Sequence, residues 1–183
     1  MVDMQDRLNA YTQEVLRFRK ALNLTSISNA SEFNERFIRP SLDLARYLPE
    51  QGRLLDIGSG MGVPGIPLLI AKPNLYGVLV ERRKKRAEFL RHLARVLNLN
   101  MDVYDADINH LERLNVDVCV ARAVTRVEDL LAMCERHVNK DAMAVLPVPR
   151  DQGQVEVDGW VFSKAYDVKA VESQKVHCYQ WTK

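Results

Sequence analysis

The stretch LDIGSGMGVPG, residues 55–65, constrains the fold more than any other part of the chain. A short apolar segment at residues 54–57 ends at a run of glycines, and the apolar start of a predicted helix follows at Ile66. Glycines allow a tight turn and a close approach of the backbone to a ligand, and a helix N-terminus carries unpaired N–H groups. The order strand, glycine loop and helix is typical of the first unit of an α/β fold that binds a nucleotide-like ligand.

Apolar strands and amphipathic helices alternate after this loop. Buried strands are predicted at residues 54–57, 76–81, 101–104, 116–121 and 142–146. Helices are predicted at residues 66–71, 82–97 and 127–137, the second of them with an inward face of Phe89, Leu93, Val96 and Leu97. Strands that alternate with helices indicate a parallel sheet covered on both faces. Residues 160–168 and 176–181, which contain Trp160 and Trp181, predict an antiparallel pair that closes the sheet.

The first 50 residues are predicted to form a helical extension. Apolar residues recur there at steps of three and four, which is typical of one face of an amphipathic helix: Met4, Leu8, Tyr11, Val15, Phe18 and Leu22. A second helix is predicted from an N-cap at Ser31, with an interruption or restart at Pro40, to about Tyr47. We therefore expect one domain over residues 1–183, with the extension at 1–50 and an α/β core at 51–183.

Charge is distributed unevenly along the chain. Residues 1–100 contain 16 Lys and Arg against 10 Asp and Glu, a net charge of +6, whereas the remainder contains 10 against 14, a net charge of −4. A basic first half is compatible with a polyanionic partner, and equally with an ordinary solvated surface.

Cysteine and histidine usage argues against metal chemistry. Cys119, Cys134 and Cys178 lack the spacing of metal ligands and predict reduced thiols in a cytoplasmic protein. The four histidines show no paired spacing, so neither a metal site nor a catalytic histidine is predicted. We also expect no membrane-spanning segment and no signal peptide, because no apolar run of the required length is present.

Two ligand classes compete for the glycine loop. From Gly60 the letters GMGVPG satisfy the dinucleotide fingerprint, and from Asp56 the letters DIGSGMG satisfy the pattern of proteins that bind S-adenosylmethionine (AdoMet). The dinucleotide interpretation leaves Asp56 as an unpaired carboxylate inside a buried strand, which is costly. At the end of the strand, by contrast, Asp56 can accept hydrogen bonds from loop amides or a cofactor amine. No second domain follows to bind a dehydrogenase substrate, so AdoMet is favoured over NAD.

Acidic residues follow the next two predicted strands. Glu81 ends the second strand, where a carboxylate can accept hydrogen bonds from both hydroxyls of a ribose. The alternative is a surface acid that pairs with the basic run at residues 82–86. Asp105-Ala106-Asp107 follow the third strand, where the loop of an AdoMet-binding fold flanks the adenine, and the alternative is an ordinary polar turn.

Several segments together carry a family resemblance that extends from about residue 8 to residue 145. They are Asn23-Leu24-Thr25, DIGSGMGVPGIPL at residues 56–68, Lys85-Arg86, Phe89-Leu90-Arg91, Asp117-Val118, Ala121-Arg122-Ala123 and Asp129-Leu130-Leu131. In these segments the chain resembles the GidB/RsmG family of bacterial 16S rRNA guanine-N7 methyltransferases. The resemblance implies a Rossmann-like class I AdoMet-dependent methyltransferase fold, an AdoMet cofactor and methylation of a guanine in small-subunit rRNA.

The resemblance also implies roles for individual residues. Gly58 and Val63 would contact AdoMet, Glu81 would hold its ribose, and Ala106 with Asp107 would frame its adenine. Arg122 matches the arginine that closes the cofactor pocket near the substrate, although a lone arginine after a strand is more often a surface residue. With the analysis of the loop, the predicted cofactor set is Asp56, Gly58, Gly60, Gly62, Val63, Glu81, Ala106, Asp107 and Arg122.

The chain departs from the family pattern at three places. Arg36-Phe37 stands where the family usually has Arg-His, Pro40 where an aspartate is usual, and Pro147 where a Lys-Gly pair is usual. These positions belong to elements expected to meet RNA or to shape the substrate pocket. Three functions therefore compete: methyl transfer to small-subunit rRNA, methyl transfer to another RNA, a small molecule or a protein, and a non-catalytic AdoMet-binding module associated with the ribosome.

Methylation of guanine N7 would proceed by in-line displacement at the sulfonium of AdoMet. N7 carries a lone pair at neutral pH, so no acid–base residue is predicted, and the rate would come from positioning and desolvation. One set of basic residues is predicted to track RNA phosphates, with a solvated helix face as the alternative: Arg82, Arg83, Lys84, Lys85, Arg86 and Arg91. The expected partner is small-subunit rRNA or the 30S particle, bound by a monomer.

Overall fold

A seven-stranded sheet runs through the computed structural model, which describes residues 3–122 and 125–183. The strands are β1 Gly52–Ile57, β2 Leu75–Val80, β3 Met101–Tyr104, β4 Val116–Ala121, β5 Val138–Pro149, β6 Trp160–Asp167 and β7 Gln174–Trp181. Their order across the sheet is β3-β2-β1-β4-β5-β7-β6. Strands β1 to β5 are parallel, and β7 runs antiparallel to both β5 and β6. The predicted parallel sheet with an antiparallel closing pair is confirmed.

Helices cover both faces of the sheet. They are α1 Met4–Phe18, α2 Ala30–Phe33, α3 Arg39–Ala45, α4 Gly65–Ala71, α5 Lys84–Val96 and α6 Val127–Glu135, with a π turn at Asn34–Ile38 and a 3₁₀ turn at Ile108–His110. Leu54 of β1 packs in one apolar cluster with α1, α4 and α5, whereas Leu55 and Ile57 pack in a second cluster with α6. This alternation along β1 buries the strand on both faces, as its near-continuous apolar sequence predicts. None of the described helices is long and apolar enough to span a membrane.

The order of the strands fixes where a ligand can bind. β1 has β2 on one side and β4 on the other, so the winding of the chain reverses at β1. Ile57 is level with both Val80 and Ala121, and Val80 is level with Tyr104. Four parallel strands therefore end at one edge of the sheet. Ligands of such sheets bind in the crevice beyond the carboxyl ends of the strands at the point of reversal.

Strand β5 is longer than predicted at both ends. It begins at Val138 and continues to Pro149, so that it includes Pro147 and Pro149. A proline cannot donate a backbone hydrogen bond and is therefore excluded from central strands. The paired residues of β4 and β5 extend only to Cys119 and Ala144, and beyond Ala144 the strand pairs with β7 alone. The prolines thus lie where the side of β5 that faces β4 needs no backbone N–H donor. The composition of the segment does not show that this side is unpaired.

The second helical segment also differs from its prediction. Its N-cap is Asn29, whose side chain accepts a hydrogen bond from the N–H of Glu32 at 2.8 Å, rather than Ser31. The π turn then separates α2 from α3, and Pro40 lies in the first turn of α3. Proline has no N–H and is tolerated only at the start of a helix, so the backbone widens before it. The predicted interruption at Pro40 therefore takes the form of a π turn.

One residue of α5 faces solvent against expectation. Phe89, Leu93 and Leu97 are buried as predicted, but Val96 is 51% exposed. The buried face of α5 is centred between Leu90 and Leu93, and Val96 lies about 90° away from that centre around the helix. The spacing of apolar residues therefore predicted an inward face that is rotated around the helix axis toward Val96, relative to the face that is buried.

Side chains of the N-terminal extension bind the core directly. Tyr11 donates a hydrogen bond to the Met61 carbonyl of the glycine loop at 3.1 Å, and Arg7 donates to the Leu97 carbonyl at 2.7 Å. Arg86 of α5 donates back to the carbonyls of Leu22 and Asn23. The extension thus supports the glycine loop and the start of α5 from outside the sheet.

A buried carboxylate joins β1 to α4. Asp56 has no exposed surface, and its Oδ2 accepts a hydrogen bond from the N–H of Gly65 at 3.0 Å. A Cβ at residue 65 would lie 2.5 Å from the same oxygen, so only glycine permits this contact. Burial raises the pKa of Asp56 to about 7, although the Gly65 hydrogen bond acts in the opposite direction.

The raised pKa makes a prediction about stability. An acid whose pKa is higher in the folded than in the unfolded protein loses stability as pH rises between the two values, here from about pH 4 to about pH 7. Asp56→Asn removes this loss. The variant should gain free energy of unfolding relative to the wild type across that range, by about 4 kcal/mol in total at about 1.4 kcal/mol per pKa unit. Urea unfolding at a series of pH values measures the difference.

A matched control is Asp105→Asn, because the hydrogen bond from Arg91 lowers the pKa of Asp105. Its stability should fall relative to the wild type at neutral pH, and the difference should vanish in acid. A difference between Asp56→Asn and the wild type that stays constant from pH 4 to pH 8 would contradict a protonated Asp56.

Candidate active site

A cleft of about 520 Å³ lies beyond the carboxyl ends of β1, β2 and β4. Its volume is within the range of small-molecule sites. The residues that line it are Ile57, Gly58, Val80, Glu81, Arg82, Arg83, Arg86, Ala106, Asp107, Ile108, Asn109, Arg122, Thr125 and Met133. The cleft therefore lies at the reversal of the strand order, where the topology predicts a ligand.

The cleft brings together five of the nine predicted cofactor residues, Gly58, Glu81, Ala106, Asp107 and Arg122. The other four do not line it: Asp56, Gly60, Gly62 and Val63. These four lie in the strand end and the loop behind Gly58. Their observed contacts support the shape of the loop.

Positive backbone angles shape the glycine loop. Gly58, Gly60 and Gly62 have φ values of +69°, +56° and +99°, a region that residues with a Cβ rarely adopt. At Gly62 a Cβ would also lie 2.4 Å from Cγ1 of Ile66 in α4. The N–H groups of Gly58 and Ser59 both donate to the Val80 carbonyl, at 2.8 and 3.1 Å. The loop is therefore tied to β2 and lies against α4.

Glu81 connects the glycine loop to the start of α5. Its Oε2 accepts a hydrogen bond from the N–H of Gly60 at 2.9 Å, and its Oε1 accepts one from the N–H of Arg83 at 2.8 Å. Glu81 is only 7% exposed and forms no ion pair within the part of the chain that the structure describes, so it is not a surface acid. Each carboxylate oxygen has a second lone pair, which leaves Glu81 able to accept hydrogen bonds from ribose hydroxyls.

The end of α4 distinguishes between the two ligand classes. A dinucleotide places its pyrophosphate against the N–H groups of this helix N-terminus. Here the N–H of Gly65 already donates to Oδ2 of Asp56, so it is not available to a phosphate. AdoMet has no phosphate and needs no such site. The residues present therefore fit AdoMet and do not fit a dinucleotide.

The loop after β3 forms the opposite wall of the cleft. Oδ1 of Asp107 accepts a hydrogen bond from the N–H of Asn109 at 3.0 Å, which caps the 3₁₀ turn and lowers the pKa of Asp107. The buried His137 contacts the Ile108 carbonyl through Nε2 at 3.1 Å, and Arg136 donates to the Asn109 carbonyl at 2.7 Å. Two residues at the end of α6 thus hold the wall in place.

Six residues of the lining were not among the predicted site residues: Ile57, Val80, Ile108, Asn109, Thr125 and Met133. Ile57 and Val80 were predicted only as parts of buried strands. Ile108 and Asn109 directly follow the predicted Asp107, so a wider window after the third strand would have found them. No nearby sequence pattern indicates that Thr125 and Met133 line the cleft, because their position depends on how α6 packs beside β4.

Arg122 directly follows β4 and lines the cleft there. Its Nη1 donates to the Arg36 carbonyl at 3.2 Å, and its guanidinium lies 4.5 Å from the centre of the Phe37 ring. Burial lowers the pKa of Arg122. Arg122 also lines a second, very small cavity with Pro40, Pro64 and Pro147. Ala123, the last residue of the Ala121-Arg122-Ala123 motif, lies outside the described residues.

The predicted RNA-binding residues divide into two groups. Arg83, Lys84 and Lys85 are exposed and form no ion pair among the described residues, whereas Arg82 lies 3.6 Å from Asp107. Internal contacts engage the other two. Arg86 bonds the carbonyls of Leu22 and Asn23, and Arg91 bonds Glu88, Asp105 and the Val103 carbonyl. Within residues 3–122 and 125–183, no group of three or more His, Cys, Asp or Glu side chains could hold a metal ion.

Comparison with solved structures identifies the fold. The mitomycin 7-O-methyltransferase MmcR superposes with a TM-score of 0.67 at 15% identity, over 96% of this chain and 60% of that one. The TYW2 protein of M. jannaschii in complex with AdoMet superposes with a TM-score of 0.60 at 15% identity, over 78% of this chain and 74% of that one. The predicted Rossmann-like AdoMet-dependent methyltransferase fold is thereby confirmed.

Comparison of sequences identifies the family. The ribosomal RNA small subunit methyltransferase G of Syntrophotalea carbinolica is 35% identical over 159 residues, which are 83% of this chain and 72% of its own length. The protein of the same name from Methylorubrum populi is 30% identical over 176 residues, 91% of this chain and 83% of its own length. The GidB family, described as rRNA small subunit methyltransferase G, matches residues 4–178. The chain belongs to this family.

Proposed function

We propose that this protein transfers a methyl group from AdoMet to N7 of a guanine in small-subunit rRNA. Membership of the family supports the reaction class and the RNA. One structural observation carries the assignment of the site: Gly58, Glu81, Asp107 and Arg122 surround a single cleft while Asp56 occupies the helix end that a phosphate would need. The same proposal includes four details. The methylated base is a guanine, the assembled substrate is the 30S particle, and the protein acts as a monomer in the cytoplasm.

The residues of the cleft divide the work of holding AdoMet. Glu81 would accept hydrogen bonds from the ribose hydroxyls, Asp107 and Ala106 would flank the adenine, and Gly58 would let the backbone approach the cofactor closely; all four line the cleft. Ile57, Val80 and Ile108 supply apolar surface that excludes water from the site. The cofactor supplies an activated methyl group on its sulfonium.

The chain needs no acid–base residue for this reaction. Guanine N7 is an unprotonated acceptor, so no proton must be removed before transfer. The acids of the site are already engaged by backbone amides: Asp56 by Gly65, Glu81 by Gly60 and Arg83, and Asp107 by Asn109. The contribution of the protein is to align donor and acceptor and to exclude water.

RNA phosphates are proposed to meet the start of α5. Arg83, Lys84 and Lys85 lie there beside the turn at residues 21–23, and the first turn of α5 contains no acidic residue. Lys20, on the extension, is also exposed and forms no ion pair in the described part of the chain. Because Arg82 and Arg83 also line the cleft, the basic surface leads directly to the site.

Titration calorimetry tests the cofactor site. S-adenosylhomocysteine should bind to the wild type, and NAD should not. Gly58→Asp should weaken binding at least about tenfold, because a side chain at this lining position takes space in the cleft and adds a negative charge beside Glu81. Gly153→Asp is the matched control, because a Cβ there meets nothing within 4 Å. Equal binding by both variants would exclude the glycine loop as the site.

Transfer of a labelled methyl group tests the reaction. The wild type should methylate small-subunit particles that lack the modification, and Gly58→Asp should not. Binding of S-adenosylhomocysteine without transfer to any ribosomal substrate would favour the non-catalytic module instead. Transfer to a protein or small molecule alone would move the assignment to another acceptor class.

Salt dependence tests the basic surface. Removing two phosphate contacts with Lys84→Ala/Lys85→Ala should weaken binding to small-subunit rRNA and reduce the slope of log K against log salt by about 0.7–0.9 per contact. Lys164→Ala is the control, since Lys164 is an exposed lysine on the edge strand β6, at the other side of the sheet. An unchanged slope in the double variant would show that phosphates bind elsewhere.

A further inference from the structure

Arg122 is a half-buried cation without an acidic partner. Burial lowers its pKa, and the neighbouring charge of Arg36 acts in the same direction. Within residues 3–122 and 125–183, no Asp or Glu forms an ion pair with it, and its one hydrogen bond goes to the Arg36 carbonyl. A desolvated cation is costly unless an anion or several acceptors compensate it. The arrangement leaves most of the guanidinium donors available.

Two residues of the π turn at Asn34–Ile38 contact the guanidinium of Arg122. In an α-helix the carbonyl of Arg36 would accept the N–H of residue 40, but Pro40 has no N–H. In this turn the Arg36 carbonyl accepts a hydrogen bond from Nη1 of Arg122 at 3.2 Å. The next residue of the same turn, Phe37, places its ring 4.5 Å from the guanidinium carbon, and Phe37 itself packs against Phe33. A carbonyl and an aromatic ring from one turn therefore fix Arg122.

The position of Arg122 gives its guanidinium access to a ligand. Arg122 belongs to the lining of the cofactor cleft on one side and of the cavity beside Pro40 and Pro147 on the other. That second cavity, at about 10 Å³, has no room for a ligand group. A ligand can therefore reach the other guanidinium donors of Arg122 from the cleft, which Arg122 also lines.

We infer that Phe37, together with the Arg36 carbonyl, is a positioning residue that holds Arg122 so that its guanidinium can bind an oxyanion at the mouth of the cleft. This rests on the proposed function, which brings two oxyanions to that place: the carboxylate of the amino-acid part of AdoMet and a phosphate of the RNA. Planar guanidinium groups bind both kinds of oxyanion through paired hydrogen bonds.

A comparison of two variants isolates the aromatic ring. Phe37→Tyr keeps a ring face under Arg122, whereas Phe37→Leu keeps the apolar packing and loses the ring face. Loss of a cation–π contact of this kind should weaken binding of the oxyanion roughly three- to thirty-fold in the leucine variant and leave the tyrosine variant near the wild type. A role in packing alone would affect the two variants in the opposite order or equally.

Calorimetry with two ligands identifies the oxyanion. If the cofactor carboxylate binds Arg122, Phe37→Leu weakens S-adenosylhomocysteine but not methylthioadenosine, which lacks the amino-acid part. If an RNA phosphate binds Arg122, both of these affinities stay unchanged, rRNA binding weakens, and its salt slope falls by about 0.7–0.9. Either result supports the inference.

A double-mutant cycle with Arg122→Gln decides whether Phe37 acts through Arg122. In the Arg122→Gln background, Phe37→Leu should have no further effect on binding, and the two substitutions should also be coupled in urea unfolding without any ligand. An undiminished effect of Phe37→Leu in that background, or wild-type behaviour of Phe37→Leu throughout, overturns the inference. Failure of the wild type to methylate rRNA counts against the proposed function instead, because the unfolding cycle needs no substrate.

Discussion

The hydrogen bond between the Gly65 N–H and the buried Asp56 carboxylate is the contact on which the site depends. It joins the end of β1 to the start of α4 and fixes the two ends of the glycine loop. It also places a carboxylate where a dinucleotide-binding protein would receive pyrophosphate. One interaction thus shapes the loop and selects the class of cofactor. Glu81 completes the arrangement by binding the middle of the loop at Gly60 and the start of α5 at Arg83.

The N-terminal extension is part of the site as well as a cover for the sheet. Tyr11 supports the glycine loop through the Met61 carbonyl, and Arg86 ties the turn after α1 to α5. The π turn reaches the opposite side of the cleft through Phe37 and Arg122. Residues from the first 50 positions therefore contact both the glycine loop and Arg122. That the extension and the core form a single domain stays a prediction.

Patterns confined to a few neighbouring residues predicted most of the fold. The order of strands and helices followed from apolar periodicity. Glu81 and Asp107 were found because each lies within three residues of the end of a strand, and the two strands end at the same edge. What the sequence could not show depends on partners distant along the chain. Nothing near Arg86 and Arg91 in the sequence indicates that their guanidinium groups contact the Leu22 carbonyl and Asp105. The contact of Phe37 with Arg122 joins residues 85 positions apart and has no local signature.

The identity of the methylated nucleoside tests the central claim most directly. Small-subunit rRNA is incubated with the protein and isotopically labelled AdoMet, digested to nucleosides and analysed by mass spectrometry against authentic standards. The account predicts label in N7-methylguanosine, because N7 already presents a lone pair and its methylation requires no acid–base residue. Label in a base methylated on an exocyclic amine or a carbon, which would require removal of a proton, would contradict it.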